Sequence, residues 1–182
     1  MRTYTDLSEA LKEPDKVQTL DLSNQGLTEI PVEIFQLTNL TLLGLSGNQI
    51  EVIPPEVGQL TSLTTLSLAY NRIQEVPPKI GQLTSLTLLG LTGNQIQVIP
   101  PEIGQLTNLT RLGLTGNQIQ EIPAELYQLT NLRFIHLESN FIESVPTEIG
   151  NLITLTLLNL SQNKLGNLPT EINQLSKLQS LN

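Results

Sequence analysis

The chain has 182 residues, 38% hydrophobic and only 3% aromatic, which suits a single domain with an aliphatic core. Seventeen acidic residues against nine basic give a formal charge of -8, which argues against nucleic acid or an anionic membrane as the main partner, since both need a cationic footprint. There is no cysteine, so disulfides, thiolate metal sites and a cysteine nucleophile are excluded.

In chain order, residues 1–16 read as an N-terminal helical cap. Thr5 or Asp6 is placed to N-cap a helix running to Lys12, with Leu7, Ala10 and Leu11 on the face that covers the core beginning at Val17. This opening, MRTYTDLSEALKEPDK, has neither an apolar core nor a small-residue cleavage site, so it is not an export signal. As written the chain is expected in the cytoplasm, or outside the cell if a leader has been removed. No stretch approaches the roughly 20 apolar residues of a membrane span.

Residues 17–177 divide into seven consecutive 23-residue units without an insertion or deletion. The unit from Leu40 reads LTLLGLSGNQIEVIPPEVGQLTS, and the unit from Leu86 reads LTLLGLTGNQIQVIPPEIGQLTN. In the shared pattern LxxLxLxxNxIxxIPxEIxxLxx, the LxL pair (Leu43 and Leu45, for example) alternates with period two. It predicts a short strand with both leucines inward, and successive units lay these strands side by side as a parallel sheet. Asn48, Asn71, Asn94, Asn117, Asn140 and Asn163 follow at one fixed place, where their amides can satisfy backbone groups as the chain turns. Gln25 stands there in the first unit. The second half of each unit predicts a short helix or 3₁₀ turn. Pro54, Pro77, Pro100, Pro123, Pro146 and Pro169 are expected at its first helical position. Glu56, Glu102, Glu125, Glu148 and Glu171 come two residues later, near the positive end of the dipole, and Lys79 breaks that column. Residues 178–182, LQSLN, read as a truncated eighth repeat without a C-terminal cap. A fragment, or self-association through the uncovered last repeat, is expected from it.

The repeat resembles the leucine-rich-repeat family over about nine tenths of the chain. The predicted fold is an α/β solenoid, a leucine-rich-repeat horseshoe with a parallel sheet on its concave face and short helical or 3₁₀ turns on its convex face. One unit cannot bury its leucines alone, so stacking creates the core. The IPxEIGxL half-repeat and the opening TYTDLSEALKEPDKVQTLDL resemble bacterial members, leptospiral ones in particular. The resemblance implies a protein-recognition module that binds a protein ligand on its concave face, with interaction with a host as one role. Similarity to the repeats that precede GTPase domains in Roco-type proteins implies the alternative, a regulatory or scaffolding segment of a larger protein.

Residues flanking the inward leucines are expected on the concave surface, and most are small. Tyr70 and Arg72 interrupt the usual Gly-Asn-Gln turn of their unit. Arg111 and Arg133 share a side with Phe134, His136 and Glu138 on neighbouring strands, and Phe141 replaces the usual Gln beside them. Aromatic residues with arginine on a rigid surface have the composition of binding hot spots, so these eight residues are the candidate partner site. The competing reading is ordinary drift of a tolerant surface. Elsewhere the repeats carry eleven acidic residues against Lys79 and Lys177, which makes the convex side and flanks acidic.

An enzyme reading rests only on His136, Glu138 and Ser139, with no glycine-rich elbow or oxyanion device nearby, and the chain is read as non-enzymatic. One histidine is too few for a zinc site, and no calcium loop, P-loop or dinucleotide fingerprint is present, so neither metal nor cofactor is expected.

Overall fold

Each LxL segment forms a short strand, and the computed structural model describes residues 2–182. The strands are β1 (Thr3–Tyr4), β2 (Thr19–Asp21), β3 (Leu42–Gly44), β4 (Thr65–Ser67), β5 (Leu88–Gly90), β6 (Arg111–Gly113), β7 (Phe134–His136), β8 (Leu157–Asn159) and β9 (Ser180–Leu181). They pair in sequence order, all parallel, as one open sheet. The register repeats the sequence period, so Leu43, Leu66, Leu89, Leu112, Ile135 and Leu158 stand side by side. All six are 0–1% exposed and form the inner layer of the core. The architecture is therefore the expected solenoid, with one coil per repeat and a parallel sheet along one face.

The outer half of each coil is a 3₁₀ turn rather than an α-helix. Seven such turns recur, from Val32–Gln36 and Pro55–Gln59 to Thr170–Gln174. These turns close by i→i+3 bonds, as in the Val57 N–H bond to the Pro54 carbonyl at 3.0 Å. The prolines expected at the first helical position sit one place earlier. Pro54, Pro77, Pro100, Pro123, Pro146 and Pro169 are N-cap residues with extended ψ of 142–166°. The ring fixes φ but leaves ψ free to be extended, and where a second proline follows at Pro55, Pro78 or Pro101 it forbids helical ψ before it. Inward from these turns, Val57, Ile80, Ile103, Leu126 and Ile149 close the outer layer of the core at 0–2% exposure. The next position is glycine in four repeats because the coils nearly touch there. A Cβ on Gly81 would lie 2.8 Å from the Glu102 carbonyl, and one on Gly104 would lie 2.8 Å from that of Glu125. Tyr127 occupies that column in the fifth coil and is buried.

Two side-chain ladders tie the coils together. Each asparagine crosslinks consecutive turns: Asn94 Nδ2 donates to the carbonyls of Leu68 and Leu91, both at 3.0 Å, and Asn94 Oδ1 accepts from Ile73 N–H at 3.0 Å. The second ladder is absent from the sequence-based expectations. Thr41, Thr64, Thr87, Thr110 and Thr156 each donate a hydroxyl to the carbonyl 23 residues earlier, at 2.8–3.0 Å. Arg133 is the one break in that column between Thr41 and Thr156.

The N-terminal segment differs from the expected helical cap. Its helix α1 is one turn, Leu7–Ala10, and stops short of Lys12. Asp6 is the N-cap, accepting from Glu9 N–H at 3.1 Å, and the hydroxyl of Ser8 donates to the same carboxylate. Before it, β1 adds a strand to the sheet and places Tyr4, 5% exposed, in register with Leu20. Gln25, the exception in the asparagine column, fastens this segment by donating to the Thr5 carbonyl at 2.7 Å. Among the described residues no helix is long and apolar enough to cross a membrane.

Candidate concave recognition site

The sheet exposes the first and third residue of each strand on one face. Along the first row, Leu88, Arg111, Phe134 and Leu157 follow one another on β5 to β8, and along the third row run Gly90, Gly113, His136 and Asn159. Strand pairing therefore brings Arg111 beside Phe134 and Gly113 beside His136. The Arg111 guanidinium lies over the Phe134 ring at 4.9 Å from its centroid. Arg133 lies over the same ring at 5.9 Å. Because Arg133 stands where other repeats carry a ladder threonine, its side chain is free of that bond, while its carbonyl still accepts from Thr156 at 2.8 Å. Next to this cluster is a shallow depression of about 340 Å³, lined by Leu88, Gly90, Arg111, Gly113, Phe134 and His136. Two glycines give it a floor at backbone level.

The remaining candidates lie apart from this centre. Glu138 turns toward β8, where its carboxylate accepts from Asn159 Nδ2 at 2.9 Å. Phe141 sits in the turn after β7, 43% exposed, with Lys164 Nζ 4.9 Å from its ring centroid. Tyr70 and Arg72 are three repeats away, in the turn after β4. Tyr70 takes the left-handed conformation, φ +55°, at the position where Gly47, Gly93 and Gly116 stand in neighbouring repeats. Its ring extends over Gly93, whose Cβ, if present, would lie 2.6 Å from Tyr70 Cδ1, and it is 67% exposed. Sequence spacing puts Leu88, Gly90, Gly113 and Lys164 on the same face but does not single them out as members of the candidate site. Leu88 and the glycines belong to common repeat types, and only the register puts them against Arg111 and Phe134.

The three residues considered for a hydrolytic relay are not joined. Ser139 Oγ donates to Gln162 Oε1 at 2.6 Å, and Glu138 is engaged by Asn159. Among the described residues no group of three His, Asp or Glu side chains is placed to hold a metal ion.

A family profile described as leucine rich repeat matches residues 15–73, 61–119 and 84–142, and a second of the same description matches residues 154–175. Nothing among curated proteins matches the chain. Among solved structures, a leucine-rich-repeat protein of Leptospira interrogans is 35% identical with a TM-score of 0.74, over 100% of this chain and 58% of that one. The ectodomain of the Arabidopsis thaliana receptor kinase GASSHO1/SCHENGEN3, in complex with Casparian strip integrity factor 2, is 35% identical with a TM-score of 0.86. That match covers 92% of this chain and 21% of the receptor chain. An internalin from Listeria monocytogenes is 27% identical with a TM-score of 0.74, over 98% and 57% of the two chains. The chain thus spans less than two thirds of each of these proteins. With profile matches over more than half of its length and the stacked fold they imply, the chain belongs to the leucine-rich-repeat family.

Proposed function

We propose that this protein recognises a protein partner on the concave face of its sheet, with the Arg111–Phe134–Arg133 cluster at the centre of the contact. The observation that carries the reading is that cluster itself: two guanidiniums over one aromatic ring, beside a depression on the exposed face of the sheet. Arginine and aromatic side chains are the residue types that dominate binding energy at interfaces. A sheet whose every coil is crosslinked to the next loses little conformational freedom on binding, so contact energy is not spent on ordering it. The similar plant receptor ectodomain is in complex with Casparian strip integrity factor 2, which supports ligand recognition as a use of this fold.

Tyr70 and Arg72 form a second element of the same face. An L-residue in the left-handed region costs about 1–2 kcal/mol; at the same turn three repeats use glycine, and Asn24, Ser139 and Gln162 take the conformation that Tyr70 takes. What sets Tyr70 apart in that column is its aromatic ring, 67% exposed and available to a partner. For the bacterial branch, a molecule of a host is one class of partner this reading covers. The test is capture from host-cell surface proteins by the wild type and by an Arg111→Ala, Phe134→Ala, Phe141→Ala variant. A partner retained by the wild type and lost by the variant is the expected result. Equal capture by both moves the site off this part of the sheet.

A further inference from the structure

The arginines of the concave face lack an anion. Among the described residues the ion pairs are Lys12–Glu9 and Lys16–Glu13, both in the N-terminal segment. This is so although acidic side chains outnumber basic ones by seventeen to nine. Glu138, which shares this part of the sheet, is drawn toward Asn159. Arg111 and Arg133 rest on the Phe134 ring instead. A guanidinium held over a ring at these distances keeps N–H groups with which to fork a carboxylate.

We infer that the depression beside Phe134 takes an acidic segment of a partner protein, with one Asp or Glu carboxylate held by Arg111 and Arg133. This rests on the concave-face reading proposed above and names the chemistry of its ligand. The flanking residues of the segment are apolar. Leu88, Arg111, Phe134 and Leu157 occupy the same register position on four consecutive strands. At about 4.8 Å per strand the row spans roughly 14 Å, the length of about four extended residues. A carboxylate over Arg111 therefore has neighbours over Leu88 on one side and over Phe134 or Leu157 on the other. The sheet continues past the depression to β4 and to β9, so no wall stops a chain there. A segment passes across the site, which favours a side-chain carboxylate over a chain terminus. The acidic flanks do not forbid this, because charges more than about 8 Å away are largely screened at physiological ionic strength. They act instead against long polyanions, which would lie across them.

The test titrates the ¹⁵N-labelled full chain with acetyl-Gly-Leu-Glu-Leu-Gly-amide, with its Gln counterpart, and with the Gln peptide bearing a free C-terminal carboxylate. The expected result is movement of the Arg111 side-chain N–H signal and of the Gly90 and Gly113 amides. The Glu peptide should bind about tenfold or more tightly than the capped Gln peptide, the preference a charge-assisted fork supplies. Arg111→Gln and Arg133→Gln should remove the preference, and Arg111→Lys should keep only part of it, since an ammonium cannot fork. Both positions are exposed, and unchanged amide spectra elsewhere would show the variants folded. Equal binding of the Glu and capped Gln peptides would overturn the carboxylate assignment. It would leave concave-face recognition standing, because the triple-variant capture reads that separately. A free-terminus Gln peptide that binds as tightly as the Glu peptide would overturn the passing segment in favour of a chain end. Absence of any shift at millimolar peptide would overturn the inference altogether.

Discussion

Tyr127 gives the sharpest test of how this core is built. It is 1% exposed, and its hydroxyl has no hydrogen-bond partner in the structure. Together with Ile122, Leu126, Ile135, Leu137, Val145, Ile149, Leu158 and Leu160 it lines a residual void of about 10 Å³. Such a void is at the lower limit for one water, and an apolar lining offers it none of the two to four partners it requires. An unpaired buried hydroxyl costs about 1–3 kcal/mol. Tyr127→Phe keeps the ring and removes that cost, so it should stabilise the fold by about 1–2 kcal/mol. For a chain of this size each kcal/mol moves the midpoint by about 2–4 °C, which predicts a rise of roughly 2–8 °C. Urea denaturation followed by circular dichroism should show a higher midpoint with an unchanged slope. Burial, with the Glu148 carboxylate adding to it, also pushes the phenol well above its ordinary value of 10.0. The folded state therefore holds this proton more tightly than the unfolded chain does. Its contribution is fully present below about pH 10 and is lost as the pH rises above that value, where the unfolded chain ionises first. The Phe variant should accordingly lose less stability than wild type above pH 10. A variant destabilised by about 1 kcal/mol or more would refute the reasoning and show that the hydroxyl is bonded in solution.

Two further substitutions test the stacking. Leu112→Ala, at a site 1% exposed in the middle of the sheet, should cost about 2–5 kcal/mol through the cavity it opens; an unchanged melting midpoint would contradict its inward placement. Asn94→Ala removes three buried hydrogen bonds; it leaves the Ile73 N–H unpaired, while the Leu68 and Leu91 carbonyls keep the bonds they accept from Asn71 and Asn117. At about 1 kcal/mol each the loss should be roughly 3 kcal/mol. Faster hydrogen exchange at the Ile73 amide than in neighbouring repeats would locate it.

The 23-residue period carries the fold in plain view, because a parallel stack needs the same inward residue at the same step of every coil. Leu43 and Leu45, the asparagine column and the turn after it can be assigned from spacing alone. The threonine ladder is equally periodic, and a column count at Thr41, Thr64, Thr87 and Thr110 finds it. Its physical meaning is hidden, since a hydroxyl bonding to the carbonyl of the previous coil exists only once coils are stacked. The N-terminal segment departs from its helical expectation for a related reason: Thr3–Tyr4 has no local signal for a strand and becomes one because the edge of β2 is there to pair with.

The candidate recognition residues divide in the same way. That Arg111, Arg133, Phe134, His136, Glu138 and Phe141 depart from a bland repeat is legible residue by residue. Which of them act together is not. Parallel register decides that Arg111 meets Phe134 and that Gly90 and Gly113 lie below them, whereas Glu138 and Phe141 turn to Asn159 and Lys164. Sequence spacing sets which face a side chain takes along one strand, but its neighbour across the sheet is 23 residues away. Only the stacked coils bring the two side chains together.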